Sequence, residues 1–537
     1  MEIPNTVASS AVRVFSARAH QPMGNKPIIT QRRRIMFNQR HNSQKEMPTI
    51  RMTMQSRAFH LLGIFLLVTG LLAANTQYAS AGGALTVILV NEGHDANPGD
   101  GFCATASGAC TLRAALEEAN AHPGTENIIF HLPGSGVHVM SITLGPLPTI
   151  TDSINLDGTS QPSCAVPCIV LSGAAVSGPG INGLTLNSNS NTIKGFIITS
   201  WTGGRGIDVL GDSNTIQSND IGFWPGNPSL LPNASGILLF GQNNLVGGGT
   251  AVLRNVISGN SGQGIEIANG CCISISSNLI WNNYIGTTAD GTGALGNHAA
   301  GITAFSHADN TSIINNVISG NLQSGIELVG ATHTWIRGNK IGTNAAGTGA
   351  LGNHAGGIQI KAGASTSTIG GPSAGQANNI SYNTGNGIRV IGGASLNNRV
   401  QHNSIYGNSG LGIDLGTSGV TLNDSGDPDA GPNQLQNFPV LTGATSATHL
   451  ITGRLNSMPA HGYTIEFFVS PAGSCDPSNH GEGKKFIGST TLVTNALGNA
   501  VFSFTSPAGF SAGQVITATA TDGWGSTSEF SVCRVAG

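Results

Sequence analysis

The sequence predicts an all-β chain built around a right-handed parallel β-helix, with an N-terminal helical cap and a C-terminal β-sandwich. Three observations carry this expectation. The first is a repeat. RNVISGNSGQGIEI (254–267) returns as NNVISGNLQSGIEL (315–328), and looser copies are NNISYNTGNGIRV (378–390) and NSIYGNSGLGIDL (403–415). The second is the variable step of that repeat. A Gly-Ile pair begins at 206, 236, 264, 301, 325, 357, 387 and 412, in steps of 24 to 37 residues. A fixed core with loops of changing length is the mark of a solenoid coil. The third is the absence of a helical period inside the copies, which break into short β-branched runs split by Gly, Asn and Ser.

Within a coil, Ile257, Ile265 and Ile267 are expected to point inward and Glu266 outward, because side chains alternate along a strand. Strands this short bury little alone, but stacked at about 4.8 Å they share one apolar column. Asn255, Asn260, Asn316, Asn321, Asn403 and Asn408 suit the turns, since Asn tolerates left-handed backbone and its amide can bond along a stack. Coil length varies in one place. The Gly-Ile glycine lies nine residues after Asn255, Asn316, Asn378 and Asn403, but 17 or 18 after Asn219, Asn283 and Asn339. The long coils carry YIGTTADGTGALGNHAAGI (284–302) and KIGTNAAGTGALGNHAGGI (340–358), expected to project from one face two coils apart.

Ahead of the solenoid, residues 82–132 are expected to form the cap. Leu112, Ala115, Leu116 and Ala119 make an apolar helical stripe, Thr111 is its N-cap, and His122-Pro123-Gly124 ends it. The stripe would cover the open end of the coils. Residues 133–422 are assigned to the β-helix, its early coils up to about 190 being irregular. A linker rich in Asp, Gly and Pro spans 423–439. From 440 to 537, YTIEFFVS, KFIGSTTLV, NAVFSFTS and QVITATATD read as strands of a sandwich.

Composition and targeting signals point to export. The 537 residues include 77 Gly but only 9% charged and 5% aromatic residues, which suits stacked turns rather than a helical enzyme. Residues 1–57 carry ten of the Lys and Arg and two acids, leaving 13 basic and 24 acidic residues beyond them, a net charge of about −11. Such a chain is not a nucleic-acid binder. The run LLGIFLLVTGLLAA (61–74), preceded by Arg57 and followed by Ala79-Ser80-Ala81, reads as a signal peptide over 52–81, translated from Met52 or Met54 and cleaved before Gly82. Residues 1–51 are an upstream extension or disordered leader. No later stretch could span a membrane. All eight cysteines follow the cleavage site, in pairs 103/110, 164/168, 271/272 and 475/533. An even number in an exported chain favours disulfides. The pairing of Cys271 and Cys272 stays open between a ring of adjacent residues and partners elsewhere.

Cys-Thr-Leu-Arg-Ala-Ala at 110–115, with Asn97-Pro98-Gly99-Asp100-Gly101 and Cys103 before it, resembles the bacterial CSLREA module; Thr111 stands for its Ser and Ala114 for its Glu. The resemblance continues through the coils with IGT…GN loops and the β-sandwich tail. It implies a bacterial secreted or surface-displayed protein and assigns no activity.

Candidate functional residues follow from the solenoid geometry. The residue after each Gly-Ile should stand on the outer face of one sheet: Asp208, Leu238, Glu266, Thr303, Glu327, Gln359, Arg389 and Asp414. Gln359, Arg389 and Asp414 are expected to meet, with Lys361 two residues along its strand. Glu327, Gln359, Lys361, Arg389 and Asp414 are therefore the catalytic candidates if the chain is a lyase, hydrolase or epimerase of an acidic glycan. The same face could be a plain solvated surface. The signatures of polygalacturonases (Asn-Thr-Asp, Asp-Asp, Gly-His-Gly), pectate lyases (Arg-x-Pro-x-x-Arg) and alginate epimerases (Asp-Pro-His-Glu) are absent. The preferred reading is a monomeric binder of a polysaccharide or cell-surface ligand, adhesin-like. His298 and His354 recur in GNHA, at a spacing too wide for shared zinc, and are expected to bond backbone. No organic cofactor is expected. Asp424, Asp427 and Asp429 offer oxygen ligands for calcium, although the loop lacks the spacing and terminal Glu of an EF-hand and a plain solvated linker is the preferred reading.

Overall fold

The structure, a computed structural model, describes residues 87–94, 103, 109–165, 167–176, 178–225, 232–268 and 275–537. The expected signal peptide, its leader and Cys271-Cys272 lie outside these residues.

Three parallel sheets of 11, 10 and 9 strands form a β-helix. One turn of chain gives one strand to each in succession: Thr215–Gln217 to the first, Asp220–Ile221 to the second, Ser235–Leu239 to the third. The eight Gly-Ile isoleucines fall on one ladder of the third sheet, Ile207 beside Ile237, then Ile265, Ile302, Ile326, Ile358, Ile388 and Ile413. They are essentially inaccessible to solvent. Each contributes roughly 1.5–3 kcal/mol of burial that an isolated three-residue strand could not supply. The coils between 133 and 190 are more regular than expected. His138–Ser141, Ser153–Asp157, Ile169–Ser172 and Leu184–Leu186 all join the ladders in register.

The glycine of each pair is fixed by contact. A Cβ at Gly264 would lie 2.6 Å from the carbonyl oxygen of Gly301 in the next coil and 2.8 Å from the amide nitrogen of Asn297. The same two kinds of neighbour, the next coil's glycine carbonyl and an asparagine amide, crowd Gly236, Gly301, Gly325, Gly357 and Gly387.

Those asparagines form continuous stacks. Between the second and third sheets, Asn233 donates from its side chain to Asn260, which donates to Asn297, and so on through Asn321, Asn353, Asn383 and Asn408. A parallel stack between the first and second sheets runs Asn219, Asn255, Asn283, Asn316, Asn339, Asn378, Asn403. Each amide also donates to a backbone carbonyl, as Asn297 does to Ile257 at 3.0 Å. Buried turn groups that water cannot reach are thereby satisfied. The expected Asn positions all sit in these stacks. So do Asn297 and Asn353, which explains the Gly-Asn of the GNHA loops: a long coil ends on the same rung as a short one.

At the N-terminal end, the helix Leu112–Ala121 begins at Thr111, whose hydroxyl accepts the Ala114 N–H at 3.2 Å. Leu112, Ala115, Leu116 and Ala119 are buried in the apolar column, as the stripe predicts. Val87–Val90 and Thr125–Phe130, on either side of the helix in sequence, are themselves the first two strands of the first sheet.

The tail packs a three-stranded antiparallel sheet, Val440–Thr445, Leu450–Asn456 and Asn499–Thr505, near a four-stranded one whose central strands are Gly462–Ser470 and Val515–Asp522. Ile451, Leu455, Ile465, Phe467 and Ile516 fill its core. The expected linker 423–439 is solvated only in its first half, where Ser425, Pro428 and Ala430 are exposed. Asn433, Gln436, Asn437 and Phe438 are buried. Asn433 accepts the Asn398 N–H at 2.9 Å and donates to Thr527 O at 3.1 Å, so polar composition here serves to close the coil end.

That closure is completed by three buried glutamates of the tail, one at the end of each sheet. Glu466 accepts the His402 N–H (2.9 Å) after the last strand of the first sheet. Glu482 accepts the N–H groups of Gly407 and Asn408 after the last strand of the second, and the Asn408 side-chain amide at 3.0 Å. Glu529 accepts from Leu415 in the last strand of the third (2.9 Å) and from Thr421 (3.1 Å). The open end of a parallel sheet is a row of unpaired donors and acceptors. Here carboxylates take up its donors.

Candidate functional site

The outer face of the third sheet carries the eight expected residues in one register. Asp208 lies beside Leu238, Leu238 beside Glu266, and Thr303, Glu327, Gln359, Arg389 and Asp414 follow in order. The face is only partly open. Leu238, Thr303 and Asp414 are buried; Asp414 is covered by the Arg389 guanidinium and by the following turn, whose Gly419 N–H reaches it at 3.2 Å.

Charges on this face are paired. Lys361 Nζ lies 2.9 Å from Glu327 Oε2 and donates to Gln359 Oε1 at 2.7 Å. Arg389 Nε lies 3.2 Å from Asp414 Oδ2, which also accepts from Asn386 at 2.6 Å. The expected meeting of Gln359, Arg389 and Asp414 thus takes the form of two adjoining clusters, with Gln359 bonded to Lys361 and Arg389 to Asp414. Further along, Arg205 lies 3.5 Å from Glu266, and Ser235 donates to Glu266 at 2.8 Å. Arg205, Ser235 and Asn386 were missed by sequence reasoning. Each immediately precedes a Gly-Ile glycine, and simple alternation gives no outward direction on both sides of that glycine. Burial pushes the Asp208 and Asp414 carboxyls above the usual range, against the opposing pull of Arg205 on the one and Arg389 on the other.

The two long loops each close on themselves, Thr287 bridging to Ala294 and Thr343 to Ala350. Their strands are two coils apart, yet the loops touch: Ala345 N–H donates to Gly291 O at 2.9 Å. His298 and His354 are exposed, and it is their backbone N–H groups that bond, to the carbonyls of Asn260 and Asn321.

Asp424, Asp427 and Asp429 present carboxylate oxygens within 4.8 Å of one another. Asp427 is buried and accepts from Ser457 and from Asn437 N–H; burial pushes its carboxyl up to about 6. Asp424 Oδ1 and Asp429 Oδ1 are buried without a hydrogen-bond partner. Carboxylate oxygens are the kind of ligand calcium takes, about six to eight per ion, of which these three aspartates could supply only a part. Cys103 is bonded to Cys110, Cys164 to Cys168 and Cys475 to Cys533. Among the described residues, no helix is long and apolar enough to cross a membrane.

No family model matches the sequence, and no curated protein does. Solved structures similar to it are distant. The A-module of the Azotobacter vinelandii mannuronan C-5 epimerase AlgE4 is 13% identical, with 56% of this chain and 85% of that chain covered and a TM-score of 0.28. Tailspike gp49 of Acinetobacter baumannii bacteriophage Fri1, a capsular polysaccharide depolymerase, is 11% identical, with 84% and 85% covered and a TM-score of 0.24. PfbA, a surface adhesin of Streptococcus pneumoniae, is 10% identical, with 59% and 92% covered and a TM-score of 0.22.

Proposed function

We propose that this is a secreted or cell-surface β-helix protein that binds a polysaccharide along the outer face of its third sheet, in the manner of an adhesin. One observation carries the reading. The same register position recurs on eight consecutive coils at the strand spacing of about 4.8 Å, and Asp208, Glu266, Glu327, Gln359 and Arg389 stand part-exposed along it, a repeating polar surface suited to an extended polymer. Paired charges favour binding over chemistry, because each cation named on the face is already held by a carboxylate. Three disulfides and the signal-like run at 61–74 support an oxidising, extracellular setting.

A glycan-modifying enzyme is the second reading, favoured by the adjacency of Glu327–Lys361 and Arg389–Asp414 on neighbouring strands. Affinity electrophoresis of residues 82–537 through gels containing acidic and neutral polysaccharides tests the first. Retardation by at least one polymer, lost in a Lys361→Ala/Arg389→Ala variant, is expected. Mobility unchanged in all gels would refute binding. Appearance of new reducing ends or unsaturated products in the same incubations would establish the enzyme instead.

A further inference from the structure

The chain holds a tyrosine where its own geometry asks for glycine. In the short coils, the residue before the Asn of the stack between the second and third sheets (Asn260, Asn321, Asn383, Asn408) is Gly259, Gly320, Tyr382 and Gly407. The three glycines have φ of 71°, 73° and 66°, and Tyr382 has φ of 62°. A bulky side chain in left-handed backbone is strained, and such strain gathers at functional positions. The exchange also constrains its neighbour, since a Cβ at Gly407 would come within 3.2 Å of the Tyr382 ring.

What the strain achieves is visible at the junction with the tail. The Tyr382 ring packs edge-on against Tyr406, centroids 5.4 Å apart, and Lys484 Nζ lies 4.5 Å from the Tyr406 centroid. These three line a cleft of about 330 Å³ whose lining also includes Ser474 and Asp476. The volume is at the small end of ligand sites, which run from about 300 to 1,000 Å³. The walls are preformed: Ile405 and Gly483 exchange backbone hydrogen bonds of 2.9 Å, joining the last coil to the tail. Glu482, also in the lining, is occupied in capping Asn408. Lys484 and Asp476, whose Oδ1 also accepts the Ser478 N–H at 2.7 Å, are placed to meet hydroxyls.

We propose that this junction cleft is a saccharide subsite that takes a neutral pyranose residue, packed on the Tyr382–Tyr406 pair with its hydroxyls on Asp476 and Lys484. Aromatic faces suit the C–H surface of a sugar ring, and a lining in which Asp476 and Glu482 outnumber Lys484 disfavours an anionic ligand. The site is separate from the sheet face and does not depend on it.

Calorimetric titration of residues 82–537 with neutral hexasaccharides (cellohexaose, maltohexaose, mannohexaose) and acidic ones (hexagalacturonate, hexamannuronate) tests this. The decisive variant is Tyr382→Gly, which restores the residue that the backbone prefers and so keeps the fold. At least one neutral hexamer is expected to bind, at least tenfold more weakly to Tyr382→Gly, while the variant melts at or above the parent temperature. Unchanged affinity, preference for the acidic hexamers, or no binding of any neutral hexamer would overturn the proposal. So would a lower melting temperature of the variant, which would make Tyr382 a packing residue. Lys361→Ala/Arg389→Ala should leave hexamer binding intact, so failure of the sheet-face reading is distinguishable from failure of this one.

Discussion

Replacing Glu482 by alanine should uncap the second sheet and loosen the last coils from the tail. Glu482 is 8% exposed, and its carboxylate accepts three N–H groups, from the Gly407 and Asn408 backbones and the Asn408 side chain. Each donor left buried without an acceptor costs about 1–3 kcal/mol. Water entering the space left by the side chain relieves part of that, so the expected loss is about 3–6 kcal/mol. It should be local, because long repeat arrays do not unfold as one unit. Amide exchange by mass spectrometry reads it directly. Protection at 404–411 should fall by about 100-fold or more, since 1.4 kcal/mol is a factor of ten, while the coils between 191 and 260 stay protected. Glu482→Gln should fall between parent and alanine, because it keeps one carbonyl oxygen but turns an NH₂ toward a donor. Unaltered exchange at 404–411 in the alanine variant would refute the capping role.

The same junction should weaken as pH rises. Burial pushes Glu466 and Glu529 each up to about 7, above an unfolded value of about 4.3, so the folded state binds protons more tightly. Their contribution is present in full below about pH 4 and is lost as pH climbs through 7, on the order of 3 kcal/mol each; melting at pH 5 and pH 8 should differ less in Glu466→Gln/Glu529→Gln than in the parent. Millimolar calcium should raise the melting temperature of the parent and not of Asp424→Asn/Asp429→Asn, and an equal rise in both would remove the ion from those aspartates. Leu116→Asp would place a charge in the apolar column, at a cost of about 3–5 kcal/mol. It should cause aggregation, or proteolysis starting in the N-terminal coils while a fragment containing 440–537 survives; a monomer with unchanged melting would show that the helix is not a cap.

The architecture was largely legible because the interior has only a few solutions. A Gly-Ile pair and an Asn at fixed spacing define a coil once it is seen that the Ile fills the column and the Asn its corner. The helical stripe at 112–119 was legible for the same reason. What the sequence concealed depends on contacts between coils. That Asn297 and Asn233 occupy the same stack as Asn260 cannot be counted along the chain, because the loops before them differ in length. The burial of the second half of 423–439 was hidden by composition. Asp, Asn and Gly describe a solvated linker as well as a polar plug, and only the donors at the end of the coils decide between them.

The outer face was legible in position but not in charge state. Alternation places Glu327, Gln359, Arg389 and Asp414 on consecutive rungs, yet whether a cation is free for a ligand turns on rotamers that reach one coil sideways. Lys361 lies two residues beyond Gln359 and still meets Glu327 of the preceding coil. The interior and the outer face are therefore under different constraints. An inward apolar side chain, a crowded Gly and a stacked Asn leave few alternatives at their positions, whereas an outward residue is limited only by its neighbours on the two adjoining coils. Departures from the repeat at a constrained position are consequently more informative than polar residues at a free one. Tyr382 is such a departure: nothing in the coil requires it, its backbone disfavours it, and its ring opens on the cleft where the solenoid meets the tail.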